Sequence, residues 1–211
     1  MRVSRRSLLV AVGVAALAGL WARGTRPPRA VRPAAGETII AFGDSLVSGR
    51  GATPGHDFIS VLSRRTGLPI LNAGRSGDTT GAALDRLDRD VLARNPRIVI
   101  VLLGGNDFLR RVPRDETFRN LETIVTRIRR RGAAVVLVGV SVGLFTDEYG
   151  AQYDALARRA SAALVPDILD GIIGHADRMA DAIHPNDRGY EIIADRLESV
   201  LRDLAGPRPP G

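Results

Sequence analysis

Six consecutive residues, Ile98-Val99-Ile100-Val101-Leu102-Leu103, are apolar on both faces of any strand they could form. A half-exposed strand alternates apolar with polar residues, whereas an unbroken aliphatic run belongs in a parallel sheet covered on both sides. Parallel pairing requires long crossovers between strands, usually helical ones. The rest of the chain supplies both parts. Further aliphatic runs occupy residues 38–42, 69–73 and 134–140, with a weaker one at 163–166. Helical patterns fall at residues 57–65, 81–94, 116–131, 149–163 and 187–204. Leu84, Leu87, Val91 and Leu92 form one apolar stripe; Phe118, Leu121, Ile124, Val125 and Ile128 form another. The alternation predicts an α/β fold with a doubly wound parallel sheet of about five strands, in which ligands bind outside the carboxyl ends of the strands. No internal repeat is present.

The 211 residues suit one domain with a sizeable core. A net charge of +7 suggests nucleic acid, but its location argues otherwise. Arginines 2, 5, 6, 23, 26, 29 and 32 all precede the first strand-like run, and residues 1–36 hold no acid. Beyond them 23 basic residues face 23 acidic ones, so the folded part is formally neutral and no nucleic-acid partner is expected. Every basic residue is arginine. The absence of cysteine excludes thiolate chemistry, disulfides and a lipid-modified cysteine. His56, His175 and His184 have no metal-ligand spacing, and no metal is expected.

Residues 1–6 are basic, and residues 8–22 run uncharged to Arg23, the layout of a secretory signal. Ser4-Arg5-Arg6-Ser7-Leu8-Leu9 is similar to a twin-arginine export signal. An uncleaved anchor at residues 8–22 is the alternative, with Trp21 at an interface, although the run falls short of the ~20 residues that span a bilayer. The expected organisation is a signal or anchor at 1–22, a Pro/Arg-rich linker at 23–36, a folded domain at 37–205 and a disordered tail at 206–211. The exported or anchored protein is expected to be monomeric.

Chemistry-bearing residues stand just after the apolar runs, except the last pair, which precedes the final helical pattern. Ser45 follows the first run and a Gly-Asp pair, placing a hydroxyl on a strand-to-helix turn; it also reads as an ordinary turn or cap serine. Gly74 follows the second run, where a backbone N–H unobstructed by a Cβ can approach a substrate. Asn106 follows the third run and offers a carboxamide N–H after a Gly-Gly pair. Gly74 and Asn106 are oxyanion-hole candidates, and each also reads as loop-building residue. Asp181 and His184 are three apart, followed by Pro185. In a tight turn the carboxylate can hold Nδ1–H and leave Nε2 free for the serine; an Asp-turn beside a surface histidine is the alternative. Asp44 reads as a brace for the turn and Asp107 as a brace for its neighbour.

Gly139-Val140-Ser141-Val142-Gly143 matches the nucleophile-elbow pattern and would make Ser141 the nucleophile of an α/β-hydrolase. Against it, no strong helix follows at once, no His-Gly-Gly-Gly-type segment lies upstream, and the strands are few for that fold. It also leaves Ser45, Gly74 and Asn106 unexplained. Ser141, Leu144 and Phe145 read instead as lining an acyl pocket beyond the fourth strand.

Gly43-Asp44-Ser45-Leu46, Asn72-Ala73-Gly74, Gly104-Gly105-Asn106-Asp107 and Asp181-Ala182-Ile183-His184-Pro185 together resemble the consensus blocks of the SGNH (GDSL) hydrolase superfamily. Ser76-Gly77-Asp78-Thr79 looks like its exported thioesterase/lysophospholipase/arylesterase branch. The resemblance covers residues 38–204. It implies a flavodoxin-like three-layer α/β/α sandwich with Ser45 as nucleophile, His184 as base and Asp181 as its partner. Ser45 N–H, Gly74 N–H and the Asn106 side chain would form the oxyanion hole. Gly74-Arg75 stands where that branch often carries a small residue and then an aliphatic or serine, and Arg75 could alter the pocket mouth. The implied activity is an exported serine esterase acting on acyl esters or thioesters without a cofactor. An acyltransferase or carbohydrate deacetylase on the same site and a non-catalytic anchored binding protein are the other readings.

Overall fold

The computed structural model describes residues 32–140 and 146–206. Five strands, β1 (Thr38–Gly43), β2 (Ile70–Gly74), β3 (Pro96–Leu102), β4 (Ala134–Val138) and β5 (Ala163–Val165), form one sheet in the order β2-β1-β3-β4-β5. Every pairing is parallel. This is the three-layer, flavodoxin-like arrangement expected from the sequence.

The period of two along each strand sends alternate side chains to opposite layers. Ile39, Ala41, Ile98, Ile100, Leu102, Val136 and Val138 share one buried cluster with α1 (Phe58–Thr66) and α6 (Asp187–Ala205). Ile40, Phe42, Val99, Val101, Val135 and Leu137 pack on the other side against α2 (Thr80–Asp90), α4 (Arg114–Arg130) and α5 (Thr146–Ala160). Each fully buried aliphatic contributes about 1.5–3 kcal/mol, so the two-sided burial of β3 makes it the centre of the fold.

Local signals set the helix ends. The Asp57 side chain accepts from Ile59 N and Ser60 N at 3.0 Å, and Gly67 closes α1 at φ 67°. Asn186 caps α6 by accepting from Gly189 N at 3.1 Å, which fixes that helix immediately after His184-Pro185. The expected helix over 81–94 divides: α2 ends at Asp90, and a 3₁₀ turn (Leu92–Arg94) leads to Asn95 at φ 51°. Pro96 then opens β3, where its missing N–H falls at the start of the strand. One element was not anticipated. The short helix α3 (Gly105–Leu109) carries Asn106 and is too brief to show a period. Conversely, no helix follows Ser45 directly; residues 45–50 are successive turns.

Strand order reverses between β1 and β3, whose neighbours diverge to opposite edges. The crevice above their carboxyl ends is the topological switch point, where this architecture places ligands. Ser45 follows β1 and Asn106 follows β3.

Candidate active site

Ser45 Oγ lies 3.0 Å from His184 Nε2, and His184 Nδ1 lies 2.8 Å from Asp181 Oδ2. A carboxylate can only accept, so Nδ1 carries the ring proton and Nε2 presents its lone pair to the serine hydroxyl. His184 is buried, whereas the Asp181 side chain is 48% exposed. The Ile183 N–H, then the His184 ring, hold the Asp181 carboxyl down to about 2. The turn is closed by Ala180 N donating to His184 O at 2.9 Å, which gives the three-residue spacing its geometry.

The Ser45 and His184 loops come from distant parts of the chain and are tied together directly. Tyr190 Oη donates to Arg50 O at 2.7 Å, and Thr53 donates through N and Oγ1 to Asp187 at 2.7 and 2.6 Å. Both ties run from the loop after Ser45 to the first turn of α6. Neither was anticipated, because nothing in the sequence links partners more than 130 residues apart.

Of the three expected oxyanion donors, the Asn106 amide and the Gly74 N–H are internally satisfied. Asn106 Nδ2 donates to Asp44 Oδ2 at 3.1 Å and to Asp78 O at 3.0 Å. Gly74 N donates to Asn72 Oδ1 at 2.9 Å. A Cβ on Gly74 would lie 2.3 Å from Ser48 N and 2.6 Å from Val47 C, so only glycine lets the chain after Ser45 approach β2 this closely. Asp44 does brace the turn, accepting from Leu46 N at 3.0 Å. Its burial pushes the carboxyl from 3.8 up to about 6, against the Leu46 N–H and the Asn106 amide. Asp107 is fully buried and accepts from Thr80 N and Oγ1 at 2.9 and 2.6 Å, pinning α2 to α3.

Ser45, His184 and Asn106 line one small pocket with Leu46, Leu109, Leu169, Ile173 and Ile183. Leu109 and Ile183 are among the few exposed large apolar side chains of the described residues. Arg75 stands beside Gly74 with its side chain 67% exposed, 4.0 Å from Asp78. Ser141, Leu144 and Phe145 lie outside the described residues. A larger cleft of about 790 Å³ lies at the opposite end of the sheet, between Leu68 and Arg97 at the strands' amino ends; its lining holds no histidine or serine. Among the described residues no cluster of three or more His, Asp or Glu side chains could hold a metal ion.

A doubly wound sheet with a Ser-His-Asp hydrogen-bonded chain at its switch point defines an α/β serine hydrolase. Residues 41–192 match the GDSL-like Lipase/Acylhydrolase family, and the chain belongs to that family. Esterase TesA of Pseudomonas aeruginosa is 31% identical over 182 residues, covering 81% of this chain and 90% of that one. Thioesterase 1/protease 1/lysophospholipase L1 of Escherichia coli K12 is 29% identical over 181 residues, covering 82% and 87%. The crystal structure of TesA matches with a TM-score of 0.75 and 29% identity, over 80% of this chain and 99% of that one.

Proposed function

We propose that the protein hydrolyses acyl esters or thioesters through a Ser45-linked acyl-enzyme. The 3.0 Å contact between Ser45 Oγ and His184 Nε2, backed by Asp181 on Nδ1, carries this reading. His184 takes the hydroxyl proton as Oγ bonds to the carbonyl carbon, and Asp181 stabilises the resulting imidazolium. The carbonyl oxygen becomes an oxyanion. Asn106 meets it by exchanging its Asp44 or Asp78 acceptor for substrate, Gly74 N–H by giving up Asn72 Oδ1, and Ser45 N–H supplies the third donor. His184 then protonates the leaving alcohol or thiol. Water, deprotonated by the same imidazole, attacks the acyl-enzyme and releases the acid.

Relatives named esterase and thioesterase/lysophospholipase support the reaction class. The apolar side chains of Leu109, Leu169, Ile173 and Ile183 beside Ser45 favour an aliphatic acyl group. The basic start and uncharged run of residues 1–22 support export as the destination of the domain. No helix among the described residues is long and apolar enough to cross a membrane. The test is hydrolysis of a para-nitrophenyl ester and thioester chain-length series. Activity is expected with wild type and with Ser141→Ala, and lost in Ser45→Ala. The reverse pattern would assign the chemistry to Ser141.

A further inference from the structure

Arg86 lies on α2, three residues after Ala83 and therefore on the buried face of that helix, with only 5% of the residue exposed. A guanidinium in that position is costly to desolvate unless its donors are matched. Here they are. Nε donates to Asp78 Oδ2 at 2.5 Å, Nη1 to Ala73 O at 2.9 Å and Asp90 Oδ2 at 3.1 Å, and Nη2 to Gly43 O at 2.9 Å. The guanidinium carbon stands 4.4 Å over the Phe42 ring.

The acceptors have a common property. Ala73 O and Gly74 N belong to one peptide plane, so Nη1 fixes the direction of the Gly74 N–H. Gly43 O belongs to the peptide that opens Asp44-Ser45. Asp78, held through its side chain, offers its own carbonyl to Asn106 Nδ2. One rigid fork thus meets the segments that carry Ser45 and Gly74 directly, and reaches Asn106 through Asp78. A charge-assisted bond to Ala73 O also polarises that amide and strengthens the Gly74 N–H as a donor.

We propose that Arg86 is a positioning residue for the oxyanion hole, holding the Gly74 peptide, the Ser45 turn and the Asn106 acceptor in register through a single guanidinium. The proposal rests on the assignment of Ser45, Gly74 and Asn106 as the reacting and stabilising groups. Lysine cannot replace the fork, because an ammonium at the end of a flexible stem cannot span these acceptors in one plane.

Steady-state hydrolysis of para-nitrophenyl butyrate by the full chain tests this, with the variants Arg86→Ala, Arg86→Lys, Asn106→Ala and Ser45→Ala assayed well below their unfolding midpoints. Arg86→Ala and Arg86→Lys are expected to lose kcat by about 10²-fold, as when one oxyanion donor is removed, with KM changed by less than about threefold. Millimolar guanidinium is expected to restore kcat of Arg86→Ala and to leave wild type unchanged. Where Arg86→Ala does not fold, Arg86→Lys carries the comparison. A kcat within about threefold of wild type in either foldable Arg86 variant, while Ser45→Ala and Asn106→Ala are impaired, would overturn the positioning role and leave only a structural one. Full activity in Ser45→Ala would instead overturn the active-site assignment itself, and the proposal with it.

Discussion

Asp44 and Asn106 share one hydrogen bond beside the nucleophile, and that bond has consequences for pH and for rate. Burial raises the folded-state carboxyl of Asp44 to about 6, above its ordinary 3.8. Between those values the folded protein binds a proton that the unfolded chain has released. Stability therefore falls as pH rises through this window, by up to about 3 kcal/mol. Urea unfolding between pH 4 and 7 is expected to show that slope in wild type and not in Asp44→Ala. Asp181 behaves oppositely: its carboxyl is held near 2 in the folded protein against 3.8 in the unfolded chain, so its contribution to stability is present above 3.8 and is lost as pH falls toward 2. For catalysis, Asn106→Ala is expected to lower kcat by about 10²- to 10³-fold, read in steady-state ester hydrolysis. Asp44 and Asn106 were legible in the sequence because each stands just beyond an aliphatic run. The partners of Asn106 were not, since Asp44 and Asp78 meet it only when three separate loops converge.

Among elements, the loop after β1 and the first turn of α6 decide whether Ser45 faces His184. Tyr190→Phe removes the bond to Arg50 O and leaves a buried ring of the same shape. It is expected to cost about 1 kcal/mol of stability and to lower kcat more than it raises KM, measured by denaturation and steady-state kinetics on one preparation. Gly74→Ala is the harsher change, because its Cβ would collide with backbone at Val47 and Ser48. Strands and long helices were readable from their periods of two and 3.6. The α3 helix was not: Gly105 and Asn106 are poor helix formers, and five residues give no repeat. Arg86 was hidden for a related reason, since an arginine on a helix normally reads as solvated surface.

For the whole molecule, the excess of positive charge falls within residues 1–36, and the remainder is formally neutral. The first strand starts at Thr38, and the chain before it touches the domain through Ala34 N to Gly132 O at 2.8 Å. A variant starting at Arg32 is expected to keep the melting temperature of the full chain within a few degrees, checked by circular dichroism. The switch point between β1 and β3 organises the remainder, gathering groups separated by up to 139 residues into one hydrogen-bonded chain. The most direct measurement of the central claim is active-site labelling with an alkyl fluorophosphonate, followed by peptide mass mapping. One adduct per chain is expected, on Ser45, formed slowly in His184→Ala and absent in Ser45→Ala. An adduct on Ser141, or full ester hydrolysis by an unlabelled Ser45→Ala protein, would contradict the account.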